Sequence, residues 1–221
     1  VINLVDSDLP EVREGSTPWF VMPKASKSMD FLKDKKAVDI VDQFILLAKT
    51  LVELHSNHVS HRDIKPANLL VLDSRVCFAD FGLVKYPNKD DVTVPRRDVG
   101  PKYTMAPEMR REAHKADGIA ADVYSLAKTL WIMLTQISQG FDGQYNPSSG
   151  LSIKKYCDGI YTTILDNLLV ECTDNIPANR PTAKEFRNRL IEWKNLNGDL
   201  HSRVTREWVE LHNIIFPTGT P

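Results

Sequence analysis

The chain has 221 residues and a net charge of −1, with 42% hydrophobic and 26% charged residues. That length suffices for one globular domain with a sizeable core. The charge balance points to neither nucleic acid nor an anionic membrane as a general partner. Cys77, Cys157 and Cys172 have neither metal nor redox spacing, so they read as small core residues of a protein in a reducing, cytoplasmic compartment. The longest apolar run, residues 44–54, is broken by Lys49 and Glu53, and no membrane span or signal peptide is expected. The chain opens on Val1 in a strand-like run and reads as a piece of a longer or processed protein.

Residues 1–7 suit a short edge strand, and 8–18, with prolines, a glycine and charges, a loop. Residues 19–22 read as a second short buried strand, stopped by Pro23. Residues 28–33 make one or two helical turns. From 38 to 57, apolar residues at Val41, Phe44, Ile45, Leu47, Ala48, Leu51, Val52 and Leu54 recur at helical spacing, which predicts a mostly buried amphipathic helix. Residues 69–72 and 76–79 flank Asp73-Ser74-Arg75 as a compact hairpin. Residues 85–102 are polar, basic and without periodicity. Residues 119–134 predict a strongly apolar helix with Asp122 near its start, either as a plain N-cap or reaching to a neighbouring backbone. A glycine- and serine-rich loop (138–150), a helix (161–172) and a turn-rich linker (175–181) follow. The last helix, 182–195, opens with Thr182 and Glu185 in capping-box spacing, and helical character continues to Phe216.

The chemistry concentrates at residues 61–70, HRDIKPANLL, and at Asp80-Phe81-Gly82. The first stretch holds an acid, Asp63, a cation, Lys65, and an amide, Asn68, that can ligate a metal. The second adds an acid on a turn. Antiparallel pairing of the hairpin brings Asn68 and Asp80, at its two ends, near each other. Phosphoryl transfer from a nucleotide asks for this set: a carboxylate for the hydroxyl proton, a cation for the moving phosphoryl charge, and oxygen ligands for magnesium.

HRDIKPANLL, Asp80-Phe81-Gly82, Ala106-Pro107-Glu108, the helix-opening Asp122 and Arg180 occur in the order and spacing of the protein kinase family, so the chain resembles its serine/threonine branch. The resemblance covers residues 19–195. It implies an α+β fold: a mainly helical large lobe with a remnant of the small-lobe sheet. Residues 1–25 would end the small lobe and form the hinge, 26–196 the large lobe, and 197–221 a tail. It also implies ATP and Mg as cofactors and a protein as substrate. Asp63 would orient the acceptor hydroxyl and take its proton, Lys65 would contact the transferring phosphate, and Asn68 and Asp80 would hold magnesium. Met22 would fall at the gatekeeper position, with Pro23 and Ala25 at the hinge offering backbone groups to adenine and Leu70 in the floor beneath it. His61 and Phe81 would pack. Asp122 would hold the backbone of the catalytic segment, and Arg180 would pair with Glu108. Arg62 would pair with a phosphate on the 85–102 segment, Thr93 being the candidate acceptor with Arg96 and Arg97 nearby.

The chain departs from the family pattern in two ways. These residues hold no glycine-rich phosphate loop, no strand lysine and no helix glutamate to pair with it. A chain lacking the upper half of the site should expose apolar surface around Val5, Trp19 and Val21 and transfer phosphate weakly by itself. In residues 100–108, GPKYTMAPE, Pro101 stands where serine/threonine kinases carry threonine, and Thr104 lies closer to Glu108. Lys65 favours serine or threonine acceptors, whereas Pro101 resembles tyrosine kinases. A pseudokinase scaffold and a small-molecule phosphotransferase of the same fold are the alternatives. The intact Asp63, Asn68 and Asp80 argue against the first, and Glu108 with Arg180 against the second.

Overall fold

A computed structural model describes residues 4–8, 19–87 and 103–215, with the backbone alone at 201–206 and 208–215. Two strands, β1 (Asp6–Asp8) and β2 (Trp19–Val21), pair antiparallel as a two-stranded ribbon. Trp19, Phe20 and Val21 are 47%, 56% and 45% exposed, so this strand is not the buried one its apolar residues suggest. Among the described residues no second layer covers this ribbon. The exposure expected at Val5, Trp19 and Val21 is present.

After residues 22–25 comes β3 (Ser26–Lys27), too short to leave a sequence pattern, then α1 (Ser28–Leu32). The long helix α2 (Ala37–Ser56) buries Ile40, Val41, Phe44, Leu47, Ala48 and Leu51 along one stripe. Each of these side chains except that of Ala48 contributes about 1.5–3 kcal/mol on burial. The hairpin forms as β4 (Leu69–Leu72) and β5 (Arg75–Phe78), joined through Asp73 and Ser74, both at positive φ. A two-residue turn of this kind matches the right-handed twist of the strands it joins. Gln43 of α2 fixes the hairpin, its side-chain oxygen accepting from the Val76 N–H at 2.9 Å. β3 pairs with β4 (Ser26 opposite Val71, Lys27 opposite Leu70), which seats the 22–25 segment beside the hairpin.

The short helix α3 (Pro107–Glu112) precedes α4 (Gly118–Thr135), whose residues from Ala121 to Thr135 are all buried. Asp117, not Asp122, is the N-cap of α4, accepting from the Ile119 and Ala120 N–H groups at 2.9 and 3.2 Å. α5 (Thr163–Cys172) and α6 (Ala183–Ile215) complete the helical layer around α2 and α4. The expected capping box opens α6: Glu185 N–H donates to Thr182 Oγ1 at 3.2 Å, and Thr182 N–H to Glu185 Oε2 at 2.7 Å. α6 runs unbroken across residue 197, where the tail was expected to begin. Cys172 is fully buried and Cys157 and Cys77 half-buried; none is in a disulfide. No helix among the described residues is long and apolar enough to cross a membrane.

One core residue is a lysine. Lys128 of α4 is 1% exposed, and its ammonium donates to the carbonyls of Phe141 (2.7 Å) and Gly143 (2.6 Å). Burial lowers its pKa from 10.5 to about 7, opposed by Asp142 and reinforced by Arg110. Tyr124, the other titratable group against it, is pushed up to about 12 by burial and stays neutral there. The unfolded chain keeps the Lys128 proton up to pH 10.5 while the folded chain gives it up near 7, so this residue makes stability rise with pH between those values. The buried thiols of Cys157 and Cys172, raised above 9.0, oppose the rise above that pH. Urea midpoints should therefore increase from pH 7 to 9 in the wild type, and Lys128→Met should remove most of the increase.

Candidate active site

The segment that carries the candidate catalytic residues hangs between α2 and the hairpin. α2 ends at Ser56, and the chain turns at His58 (φ 56°) into Ser60, whose backbone exchanges two hydrogen bonds of 2.9 Å with Lys85. His61 is fully buried between Phe78 and Phe81, with ring centroids 5.4 and 4.7 Å away. Its Nδ1 accepts from the Asp63 N–H at 3.4 Å, which leaves Nε2 to carry the proton and donate to the Ala79 carbonyl at 3.2 Å. His61 and Phe81 thus pack, as expected of them.

Asp122 decides the shape of this segment. It is fully buried, and its two oxygens accept from the N–H groups of His61 and Arg62, each at 2.7 Å. His55 Nε2 of α2 lies 3.1 Å from the same carboxylate. A carboxylate receiving two short backbone bonds inside the core holds Arg62 at φ 67°, a left-handed conformation costly for a non-glycine residue. The alternative reading of Asp122 as a plain N-cap is excluded by Asp117 in that place. Arg62 Nη2 donates to the Ala113 carbonyl just beyond α3. Thr93, Arg96, Arg97 and Pro101 lie outside the described residues.

The next residues form one hydrogen-bonded cluster. Lys65 Nζ donates to both oxygens of Asp63, at 3.0 and 2.9 Å. The Asn68 amide nitrogen donates to Asp63 Oδ2 at 2.8 Å and to the Asp63 carbonyl at 2.9 Å. Asp63 is therefore held as an acceptor aimed by three hydrogen bonds from two donors, with 11% of its side chain exposed. With its nitrogen spent, Asn68 has its oxygen left for a ligand. Across the hairpin Ala79 N–H donates to the Asn68 carbonyl at 2.9 Å, so Asp80 follows directly on the residue facing Asn68. Asp80 is exposed, sits at φ 58°, and receives the Gly82 N–H on Oδ1 at 3.2 Å, leaving Oδ2.

Among the described residues no three His, Cys, Asp or Glu side chains gather to hold a metal by themselves. Two hard oxygen donors, one amide and one carboxylate, suit magnesium, which keeps its remaining positions for water and phosphate. Leu70, half-buried, is paired with Lys27 of β3, two residues after Ala25. Met22 is 38% exposed, and Pro23 and Ala25 are half-buried. β3 is thus what brings residues 22–25 beside Leu70.

At the far side, Arg180 donates to Glu108 through two parallel bonds of 2.6 and 2.9 Å, with its side chain wholly buried and stacked 4.8 Å from the Tyr124 ring. The expected ion pair forms, and a bidentate geometry makes it specific.

The family model for the protein kinase domain matches residues 19–212. The chain belongs to the protein kinase family. It is 32% identical over 219 residues to the dual specificity protein kinase shkB of Dictyostelium discoideum, covering 94% of this chain and 32% of that protein. It is 25% identical over 194 residues to the serine/threonine-protein kinase MPS1 of Encephalitozoon cuniculi, covering 86% of this chain and 31% of that one. A protein of Acanthamoeba polyphaga mimivirus whose name describes a serine/threonine-protein kinase is 28% identical over 160 residues, 71% of this chain and 58% of its own length. The kinase chain here thus spans less than two thirds of each of these relatives.

Two features of this kinase site left no mark in the sequence pattern. His55 reaches Asp122 from 67 residues away. Gly118, the first residue of α4, lies against the catalytic segment: a Cβ there would come within 2.4 Å of Ser60 Oγ and 2.9 Å of Ser60 Cβ. Ser60 is buried and cannot yield. Gly118→Ala should therefore lower stability by about 1–3 kcal/mol in urea unfolding, outweighing the gain of about 1 kcal/mol in helix propensity.

Proposed function

We propose that this chain forms most of the catalytic domain of a protein kinase that transfers the γ-phosphoryl group of ATP to serine or threonine hydroxyls of a protein substrate. The observation that carries the reading is the Asp63–Lys65–Asn68 cluster, seated on a backbone that Asp122 fixes. Asp63 orients the acceptor hydroxyl and takes its proton as the oxygen bonds to phosphorus and the bond to the β-phosphate oxygen breaks. Positioning dominates a loose transition state, so holding this carboxylate in place is what the role asks. Lys65 neutralises charge on the transferring phosphoryl group. Asn68 and Asp80 would hold magnesium, which when bound neutralises the phosphates. Met22, Pro23, Ala25 and Leu70 would receive adenine, the first three in the hinge that closes residues 1–25, with 26–196 as the large lobe and 197–221 as a tail. These 221 residues contain no Gly-x-Gly-x-x-Gly run to cradle phosphates from above, so we expect them to transfer slowly on their own. A reducing, cytoplasmic setting fits the unpaired thiols.

Thermal shift separates a kinase from a scaffold. The intact protein should be stabilised by ATP with magnesium more than by ATP alone, and Asp80→Ala should remove that difference; no shift with either would favour the scaffold. Phosphoamino-acid analysis then tests the acceptor. Labelled serine and threonine support the reading given by Lys65. Phosphotyrosine alone would overturn it, and tyrosine beside serine would match Pro101 and the dual specificity in the name of shkB.

A further inference from the structure

We propose that Lys128 is a positioning residue for the protein substrate: through the loop at 140–143 it braces residues 103–113, the stretch that flanks the catalytic segment. The inference rests on the phosphoryl-transfer reading above. Lys128 lies in the most apolar part of α4, between Ala127 and Thr129 and close to Leu130 and Trp131, all buried. An apolar side chain would fill that place without the cost of removing an ammonium from water. What the lysine does there is directional. Its Nζ donates to the carbonyls on either side of Asp142, those of Phe141 and Gly143, and sits 3.3 Å over the Phe141 ring centroid. Tyr124 adds its hydroxyl to the Gly143 carbonyl at 3.2 Å. As ammonium or as amine, Lys128 has N–H groups enough for both carbonyls.

The loop held this way touches residues 103–113 twice. Asp142 accepts from Arg110 Nη1 of α3 at 2.9 Å, and that guanidinium holds the carboxyl below its usual range. Gly140, at φ 67°, lies so near Tyr103 that a Cβ would come within 3.1 Å of the tyrosine's own. The braced stretch also meets the catalytic segment, since Arg62, the neighbour of Asp63, donates to the Ala113 carbonyl. Tyr103, Arg110 and Arg111 are exposed on it. A substrate that brings a hydroxyl to Asp63 must cover this surface, whereas ATP, held by the hairpin and the 22–25 segment, need not. Glu108 with Arg180 anchors the stretch from beneath, and Lys128 fixes it from the side.

Steady-state kinetics of the intact protein with dephosphorylated casein as acceptor test this. Lys128→Met should raise KM for casein about tenfold, with KM for ATP within about twofold, because misplacing a docking surface costs binding of what docks there. Asp142→Ala, whose side chain is exposed, should raise KM for casein about threefold. The double variant should match Lys128→Met alone, since both act through one contact. Unchanged KM for casein in both single variants, or an equal rise in KM for ATP, would overturn the proposal. If Lys128→Met does not fold, Asp142→Ala decides. If the wild type phosphorylates nothing, the phosphoryl-transfer reading fails, and hydrogen exchange decides the brace by itself: faster exchange at residues 103–113 in Asp142→Ala upholds it, unchanged exchange refutes it.

Discussion

Asp63→Asn should lower kcat of the intact kinase about 10³-fold while leaving KM for ATP within about twofold. The substitution keeps the shape of the side chain and removes its charge. Both oxygens of Asp63 already accept, one from Lys65 and the other from Lys65 and Asn68. An amide presents donors on one side, so in either orientation its nitrogen meets an ammonium or another amide nitrogen. The group that should take the acceptor proton is then both non-basic and turned away. Folding should survive, because the site is partly exposed and no buried carboxylate is lost. A kcat within tenfold of wild type would mean that Asp63 is not the group acting on the hydroxyl.

Asp122→Ala should have the largest effect on stability, about 3–5 kcal/mol in urea unfolding. It strips the acceptor from the buried His61 N–H and the half-buried Arg62 N–H, each worth about 1–3 kcal/mol when left unpaired, and from His55. That is a large share of the 5–15 kcal/mol typical of a folded domain. Activity should fall further than the folded fraction does, because the Asp122 carboxylate is the acceptor that holds the Arg62 backbone in its left-handed conformation beside Asp63. Asp122→Asn should lie between the two, since its oxygen can serve one N–H while its nitrogen faces the other. A loss under about 1 kcal/mol for the alanine variant would show that the segment is held by other contacts.

The sequence made the candidate site of this molecule legible because its chemistry is local. Asp63, Lys65 and Asn68 lie within six residues, and their mutual hydrogen bonds follow from a 3-10 turn over Pro66–Asn68 that the spacing allows. α2, the β4–β5 hairpin and the α6 capping box were legible for the same reason, each being set by period or turn chemistry. Two long-range pairings, Asp122 with residues 61–62 and Arg180 with Glu108, came from resemblance, and the geometry agrees with both. What was missed depends on neighbours distant in the chain. β3 has two residues and is a strand only because Leu70 and Val71 lie beside it. Gly118 looks like an ordinary residue after an N-cap, and only the position of Ser60 makes it obligatory. Lys128 reads as a flaw in an apolar helix until its two carbonyl partners are seen. The burial expected of residues 19–22 failed because a strand's apolar residues are buried only where a second layer covers them.

The most direct test of the account is transfer from γ-labelled ATP. The intact protein, with magnesium and a serine- or threonine-containing acceptor protein, should place label on the acceptor at a rate that falls about 10³-fold in Asp63→Asn. Binding of ATP with magnesium but no labelled acceptor from any protein substrate tried, or equal labelling by wild type and Asp63→Asn, would contradict it.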